Sequence, residues 1–288
     1  MYKLPEINEV ITSRKNPFLL KMASLKEKKY RDTYGVFLIE GEKLVSEAFE
    51  AGIIPEELLV AEGQLERLTP FLSALLADRG GHIPRITCFA DGCFEKISTE
   101  KAPEGVIAVA KHLDFFGKCI KIDGRQVDLS VLPQEETALV LYDIRDPSNL
   151  GAIMRSALAF GIERILLAGS CVELHNPKTV RASMGAAFRL HYAYVEDFAA
   201  FADALRAQGR RLLAAELKEG SKPLQDIGVQ REDVFVIGNE GHGIPRSVSA
   251  MCDASVYIPI AAASESLNAS VAASILLWEQ SKVMSFHG

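Results

Sequence analysis

The sequence YIPIAAASESLNASVAASILLWE, residues 257–279, carries more information about the fold than any other part of the chain. Its β-branched start predicts a strand that ends at Pro259-Ile260. A loop of small residues follows, and then Ser266-Leu267-Asn268 opens an apolar helix. Such a loop presents backbone N–H groups at a helix N-terminus, where small side chains let a ligand approach closely. The passage therefore predicts a ligand-binding loop after a strand.

Two earlier passages have the same form, LVLYDIRDPSNLGAIMR (residues 139–155) and VFVIGNEGHGIP (residues 234–245). Strands as continuously apolar as LVLY and VFVI belong in a parallel sheet that is covered on both faces. From residue 137 onward strands and helices alternate, and this pattern by itself favours a Rossmann-like doubly wound α/β fold. The predicted strands are residues 138–142, 164–168, 190–195, 211–216, 234–237 and 255–260.

The three passages together resemble the motifs of the SpoU (TrmH-like) family of AdoMet-dependent RNA ribose 2′-O-methyltransferases, in the SPOUT superfamily. The first motif, Asn-x-Gly-x-x-x-Arg, is matched by Asn149, Gly151 and Arg155. The second, a strand followed by Gly-Asn-Glu-Gly, is matched by residues 238–241. The third, Ile-Pro and then Ser-Leu-Asn after a short loop, is matched by residues 258–259 and 266–268. The resemblance implies a trefoil knot in the C-terminal part of the sheet, which residue periodicity cannot reveal.

The resemblance also implies roles for the matched residues. The cofactor S-adenosylmethionine (AdoMet) would be held by Gly238, Ile258 and Leu267, with Asn239 and Gly241 in the same loops. The candidate catalytic residues are Arg155, Asn149, Glu240, Ser266 and Asn268. Asn149 would orient the ribose or Arg155, Glu240 would pair with Arg155 or with a partner subunit, and Ser266 and Asn268 would bond to the nucleotide or cofactor. No metal is expected, because the sulfonium of AdoMet already makes its methyl group electrophilic.

Two roles stay open for Arg155. In the family this arginine has been proposed as the general base, but a guanidinium stays protonated at almost any accessible pH. The alternative is a bidentate bond to the phosphate beside the target ribose, with proton removal assisted by a phosphate oxygen or water. His242, between two glycines, is a further acid–base candidate, although the motif does not require a histidine there.

The bulk properties bound the function. A length of 288 residues predicts two domains. Five cysteines without CxxC spacing argue against a disulfide framework or zinc cluster and fit a reducing cytoplasm. No apolar stretch is long enough to span a membrane, and the N-terminus does not have the pattern of a signal peptide, so we expect a cytoplasmic protein.

The charge is unevenly distributed. The net charge of −6 weighs against a general nucleic-acid binder, yet residues 1–31 contain eight basic and three acidic residues, a net +5. Local basic patches decide where a phosphate backbone binds. The predicted RNA-binding residues are Arg14, Lys15, Lys26, Lys28 and Lys29.

The predicted domains are residues 1–112, 113–136 and 137–288. The first is a small α/β domain with helices at residues 17–31, 42–51 and 65–77 and strands at 36–40, 58–61, 86–89 and 106–110. Its residues 11–17, 37–41 and 99–105 resemble the ribosomal-protein-like RNA-recognition domain of many SpoU enzymes. The second is a linker with a short strand or hairpin, and the third is the SpoU methyltransferase domain.

The resemblance implies methylation of a ribose 2′-hydroxyl by a homodimer formed through the C-terminal domain, and the apolar last helix is compatible with such an interface. The separate N-terminal domain favours ribosomal RNA over tRNA as the substrate, since short tRNA enzymes of the family often lack one. A non-catalytic RNA-binding protein on the same fold would be marked by loss of Asn149, Arg155 or Glu240, and all three are present. A small-molecule enzyme on a Rossmann sheet predicts a G-x-G-x-x-G fingerprint between the first strand and helix, and it is missing.

Overall fold

The computed structural model describes residues 10–77, 83–122, 133, 136–261 and 266–284. The chain forms two compact units. The N-terminal unit comprises residues 1–116 and 174–188, and the C-terminal unit comprises residues 117–173 and 189–288.

The N-terminal unit is built on a five-stranded mixed sheet in the order β1-β4-β3-β5-β2. β5 runs antiparallel to β2 and β3, whereas β4 is parallel to β1 and β3. The strands are β1 (Val10–Ile11), β2 (Val36–Glu40), β3 (Glu57–Ala61), β4 (Arg85–Phe89) and β5 (Val106–Lys111). The helices are α1 (Pro17–Ser24), α2 (Lys28–Tyr34), α3 (Glu42–Glu50), α4 (Leu65–Leu76) and α5 (Asp91–Ile97). All four strands predicted here are confirmed within one residue.

The single helix predicted for residues 17–31 is wrong, because α1 and α2 are separated by a turn. Glu27 has extended backbone angles, with φ −96° and ψ 135°. Leu25 is fully buried before this turn, and its carbonyl accepts a 2.6 Å bond from Nη1 of the buried Arg31. That side-chain bond takes the place of a helical N–H donor, so a tertiary contact interrupts a sequence of good helix formers.

Part of the C-terminal half of the sequence packs into the N-terminal unit. The segment 174–188 contains α7 (Pro177–Ala182) and the start of α8 (Ala186–Arg189). Its His175 accepts a 3.0 Å bond at Nε2 from the backbone N–H of Leu113, and its ring stacks on that of His112 with the centroids 4.0 Å apart. Arg181 forms an ion pair with Glu100.

The C-terminal unit is an eight-stranded sheet in the order β11-β13-β10-β12-β7-β8-β9-β6, and every neighbouring pair is parallel. The predicted parallel α/β sheet is therefore confirmed. Its strands are β6 (Cys119–Ile122), β7 (Ala138–Tyr142), β8 (Arg164–Ala168), β9 (His191–Val195), β10 (Leu212–Ala215), β11 (Lys222–Pro223), β12 (Val234–Ile237) and β13 (Ala254–Tyr257). Its helices are α6 (Pro147–Ala159), α9 (Phe198–Ala207), α10 (Arg246–Ser249) and α11 (Ala269–Ser281).

Three details of this unit bear on the predictions. β6 is the short strand expected in the linker, of which residues 123–132 and 134–135 lie outside the described part of the chain. β13 ends at Tyr257 and not at Ile260, in keeping with Pro259, which has no N–H to extend a ladder. The side chains of Asp146 and Asp197 accept backbone N–H bonds at the starts of α6 and α9, as Asn176 does at the start of α7 in the N-terminal unit, and the sequence Asp-Pro or Asn-Pro at two of these starts is a local signal for a helix N-terminus.

No helix among the described residues has the length and apolar character needed to cross a bilayer.

Candidate active site

The three motif passages follow strands of the same parallel sheet. β7 and β12 are neighbours, and β13 lies beyond β12 with β10 between them. Parallel strands place their carboxyl ends at one edge, and ligands of open α/β sheets bind outside that edge. The loop after β7 leads into α6, the loop after β12 forms a tight turn, and the segment after β13 leads into α11.

A chain of side-chain hydrogen bonds connects one residue from each motif; we call Glu240, Asn149, Asn268 and Ser270 the amide chain. Asn149 donates from Nδ2 to Oε1 of Glu240 over 2.7 Å. Asn268 donates from Nδ2 to Oδ1 of Asn149 over 2.9 Å. Oδ1 of Asn268 in turn accepts the backbone N–H and the hydroxyl of Ser270, over 2.9 and 2.6 Å. The predicted catalytic residues Asn149, Glu240 and Asn268 are thus in contact.

The direction of the amide chain is set by the backbone of α11. The N–H of Ser270 can only donate, so Asn268 presents its oxygen to the helix and its Nδ2 to Asn149. Asn149 must then accept with Oδ1 and donate with Nδ2. Every donor points towards Glu240, and this arrangement suits an ionised carboxylate. Oε2 of Glu240 has no hydrogen-bond partner within the described ranges and is the outer end of the chain.

The turn after β12 depends on Gly238 and Asn239. A Cβ on Gly238 would lie 2.4 Å from the carbonyl carbon of Gly243 and 2.6 Å from the nitrogen of Ile244, so no other residue fits without moving backbone. The backbone groups of Asn239 and Gly243 bond to each other in both directions, at 3.1 and 2.9 Å. Gly241, the remaining predicted cofactor residue of this loop, is exposed.

The side chain of Asn239 holds the turn in place. It donates from Nδ2 to the carbonyl of Asp143 over 2.9 Å, which ties the second motif loop to the first. Its Oδ1 accepts the N–H groups of Gly241 and His242 at 2.9 and 3.1 Å, and Nδ1 of His242 lies 3.2 Å from the same oxygen. Asn239 therefore shapes the loop from which Glu240 projects, and His242 faces that turn.

Asp143 was not identified from the sequence. It has a positive φ of 57°, which is unusual for a residue other than glycine, and its carboxylate accepts the backbone N–H of Ser170. Two features of the sequence could have indicated a turn at Asp143. It directly follows a buried strand, and aspartate tolerates the left-handed conformation better than most residues. Cys171, near Asp143, is half-buried, and the burial of its thiol raises its pKa to about 11 and keeps it neutral.

Arg155 is not in contact with the amide chain. It lies six residues after Asn149 on α6, so its Cα is about 9 Å further along the axis and about 120° around it. Its side chain is exposed and forms no hydrogen bond or ion pair with another described residue. Glu240 bonds to Asn149 and not to the arginine of its own chain.

The other predicted site residues have simpler surroundings. Ile258 and Leu267 are half-buried and Ser266 is exposed, at the two sides of the undescribed residues 262–265. Asn268 is the N-cap of α11 as well as a member of the amide chain.

The predicted RNA-binding residues all lie in the N-terminal unit. Arg14 donates to the carbonyl of Gly92 over 3.1 Å, Lys28 pairs with Asp32 at 2.6 Å, and Lys15 is exposed. Burial lowers the pKa of Lys26, partly offset by the carboxylate of Glu40. Nζ of Lys29 lies over the ring of Tyr30.

The described residues contain no group of three or more His, Cys, Asp or Glu that could hold a metal ion.

Comparison with known proteins gives matches to two family models. Residues 136–278 match the model of the SpoU rRNA Methylase family, and residues 16–108 match the MRM3-like substrate binding domain. The 23S rRNA (uridine(2479)-2′-O)-methyltransferase of Streptomyces viridochromogenes is 32% identical over 275 residues, which cover 93% of this chain and 90% of that protein. The 23S rRNA (guanosine(2553)-2′-O)-methyltransferase RlmP of Bacillus subtilis is 28% identical over 275 residues, 93% of this chain and 97% of the relative.

A solved structure has the same fold over almost the whole chain. The crystal structure of an AdoMet-bound rRNA methyltransferase from Sinorhizobium meliloti superimposes with a TM-score of 0.77 at 29% sequence identity. The match covers 96% of this chain and 99% of that one.

Proposed function

The chain belongs to the SpoU rRNA methylase family, and from this we propose that it transfers the methyl group of AdoMet to a ribose 2′-hydroxyl of ribosomal RNA. The amide chain is the observation that carries the proposal, because it joins the first, second and third motifs at the carboxyl edge of the sheet. Ribosomal RNA is favoured over tRNA by the names of the two relatives and by the match of residues 16–108 to a substrate binding domain.

The residues around the turn after β12 fit AdoMet. Gly238 lets this turn close tightly, because a side chain there would collide with the backbone of Gly243 and Ile244. The half-buried Ile258 and Leu267 supply apolar surface for an adenine ring beside these main-chain groups. We assign cofactor binding to Gly238, Ile258 and Leu267, with Asn239 and Gly241 shaping the loop. AdoMet supplies an electrophilic methyl group, and the remaining tasks fall to the protein and the RNA.

The amide chain orients the groups that meet the ribose. Asn149 holds Oε1 of Glu240 by a donated bond, and Asn268 orients Asn149 by donating to its Oδ1, so Oε2 of Glu240 is presented as an acceptor in a fixed direction. In the proposed complex Oε2 accepts a bond from the ribose hydroxyl or from a guanidinium. Arg155 binds the phosphate beside the target ribose and positions the hydroxyl. The hydroxyl proton leaves to a phosphate oxygen or to water, since a guanidinium is a poor base. Ser266 bonds to the nucleotide at the start of α11.

We further propose that Arg155 acts in the site of a partner subunit within a homodimer. Within the described ranges Arg155 forms no hydrogen bond or ion pair with the amide chain, and it lies one helical turn from Leu158, which is 37% exposed. On the neighbouring α11, Trp278 and Val271 are 55% and 47% exposed, and Trp278 packs against Phe160 at the end of α6 with the ring centroids 5.9 Å apart. An exposed apolar patch of this kind is typical of an interface between subunits.

The finer assignments follow from the resemblance. We propose that residues 1–112 form a domain that recognises the RNA and that residues 137–288 form the methyltransferase domain. Residues 113–136 are then the linker between these two domains. The strand order β13-β10-β12-β7, in which the chain returns between earlier strands, is compatible with a trefoil knot around the cofactor loops. A cytoplasmic location agrees with a ribosomal RNA substrate.

The decisive experiment is methyl transfer from labelled AdoMet to rRNA and tRNA from a strain that lacks the gene. We expect label in rRNA at one alkali-resistant linkage, loss of label with Arg155→Ala, and normal activity with Arg246→Ala, an exposed arginine of α10 outside the motifs. Label only in tRNA would refute the rRNA assignment. If no RNA or assembling ribosomal subunit is labelled although AdoMet binds, the protein is a binder and not an enzyme.

The contribution of Arg155 across subunits has its own test. Arg155→Ala and Glu240→Ala are each expected to be inactive alone. When equal amounts of the two variants are mixed and refolded, half of the dimers contain one subunit of each variant. In such a dimer one of the two sites has both an intact Glu240 and the partner's intact Arg155. About a quarter of wild-type activity should therefore return. If the mixture stays inactive although light scattering shows mixed dimers, Arg155 acts in its own subunit or not at all.

A further inference from the structure

The helix α2 carries an aromatic and basic surface that the proposed reaction does not use. Tyr30 and Tyr34 are one turn apart, and their rings stack with centroids 6.3 Å apart and planes 17° apart. Nζ of Lys21, from α1, lies 4.6 Å from the centroid of Tyr34, and Nζ of Lys29 lies 5.8 Å from that of Tyr30. We call Lys21, Lys29, Tyr30 and Tyr34 the tyrosine surface.

Folding of the N-terminal unit does not account for this arrangement. The core-facing residue of α2 is Arg31, whereas Tyr30 is half-buried, Tyr34 is 40% exposed and neither belongs to the apolar core. A pair of side chains one turn apart on a helix stabilises the helix only weakly. That contribution does not explain why two ammonium groups are held against the rings.

The charge of the surroundings points to a polyanion. Residues 13–34 contain seven basic residues and two acidic ones, Glu27 and Asp32, so this segment has a net +5 in a chain of net −6. Lys28 is paired with Asp32. Within the described ranges neither Lys21 nor Lys29 pairs with a carboxylate, and each contacts a ring.

We propose that the tyrosine surface binds an unpaired nucleotide of the RNA substrate, with the base on the ring of Tyr34 and the flanking phosphates beside Lys21 and Lys29. This rests on the proposed function and narrows its substrate to RNA whose docking region has unstacked bases. Proteins recognise such regions by stacking bases on aromatic side chains, at about 1–3 kcal/mol per base. In a duplex the bases stay stacked on each other, so only the lysines would contact it.

The binding step exchanges one contact for another. An exposed contact between an ammonium group and an aromatic ring is weaker than the stacking of a base on that ring. The lysine side chains are long enough to move from the ring to a phosphate while the base takes the ring face. The tyrosine surface can therefore open for a nucleotide without any change in backbone.

The test is the affinity of the full-length protein for a short unstructured RNA and for a hairpin duplex of the same length, by fluorescence anisotropy. We expect Tyr34→Ala to weaken binding of the unstructured RNA about 5- to 140-fold, since each tenfold is about 1.4 kcal/mol. Binding of the duplex should not change. Tyr34→Phe keeps the ring and should bind like the wild type. The matched control is Phe115→Ala, because Phe115 is 64% exposed and has Nζ of Lys111 3.9 Å from its ring.

Each result separates the hypotheses. If Tyr34→Ala binds both RNAs like the wild type, or if Phe115→Ala weakens binding equally, the tyrosine surface is not a base-stacking site, although methyl transfer to rRNA can still be observed. If the wild type neither binds RNA nor transfers methyl groups, the proposed function fails as well. Should Tyr34→Ala not fold, Lys21→Gln and Lys29→Gln leave both rings in place. They must weaken binding and reduce its salt dependence, or the proposal fails.

Discussion

Asn149→Asp is the sharpest test of the amide chain, because it changes one donor into an acceptor with almost no change in shape. The substitution removes the 2.7 Å bond from Nδ2 to Glu240 and places a second carboxylate beside the first. A hydrogen bond to a charged group contributes about 1.5–3 kcal/mol, and we take the lower end because Glu240 is exposed. Repulsion of two charges about 4 Å apart in a water-like medium adds about 1 kcal/mol.

The expected loss is therefore about 2.5 kcal/mol, or roughly 70-fold in kcat/KM. The affinity for AdoMet should stay near that of the wild type, since no residue assigned to the cofactor is altered. The Asn149→Asp variant should also regain methyl-transfer activity, relative to the wild type, at low pH. The neighbouring Glu240 raises the pKa of the introduced carboxyl, and once protonated that group can donate as the amide did. The ratio of variant to wild-type activity should accordingly rise as the pH falls from about 8 to about 5.

The assay is single-turnover transfer of labelled methyl groups across this pH range, with AdoMet binding measured in parallel by calorimetry. Asn149→Ala is the control, because it cannot donate at any pH and its activity ratio should be flat. An activity ratio for Asn149→Asp that is equally flat, or an activity equal to the wild type, would refute the reasoning that donation to Glu240 matters.

Three further predictions concern the loop, the N-terminal unit and the interface. Gly238→Ala should lower the unfolding temperature and abolish AdoMet binding, because the new Cβ would lie 2.4 Å from the carbonyl carbon of Gly243. Gly241→Ala should keep the fold, because its Cβ would lie 3.6 Å from the nearest atom. Thermal unfolding and calorimetric titration with AdoMet test the two variants. Burial lowers the pKa of His175 to about 3, so the stability it contributes should be lost as the pH falls from about 6.5 towards 3, by at most about 1.4 kcal/mol per pH unit. His175→Gln should flatten this pH dependence of the unfolding free energy, and an unchanged slope would contradict the assignment. Trp278→Glu should convert a dimer into a folded monomer in light scattering, and a persistent dimer would place the interface elsewhere.

The strands of the C-terminal unit could be predicted well because their signal is local. β7, β8 and β12 have the predicted bounds, since each is a continuous apolar segment with polar residues at its ends. The helix caps at Asp146 and Asn176 can be predicted from sequence for the same reason, because the accepting side chain and the donating N–H are no more than three residues apart. The motifs named most of the candidate site for the same reason, as each is contained in a short segment.

The errors in the predicted structure arose where contacts between residues far apart in the sequence determine the local backbone. The break between α1 and α2 depends on a buried contact of Arg31 with Leu25, which no helix propensity encodes. α5 and β1 were not predicted, and both pack against parts of the chain far from them in sequence. The backbone of Asp143 takes a positive φ while its carboxylate bonds to Ser170, 27 residues away.

The sequence by itself determined that the chain has a parallel α/β sheet, that three strands lead into loops with the motifs, and that these motifs are those of a methyltransferase family. Tertiary structure alone decided that Asn149 bonds to Glu240, 91 residues away, and to Asn268, 119 residues away. The physical reason is that local composition sets strand and helix formation, whereas hydrogen bonds between loops depend on strand order and helix rotation. Those are fixed only when the whole sheet has packed.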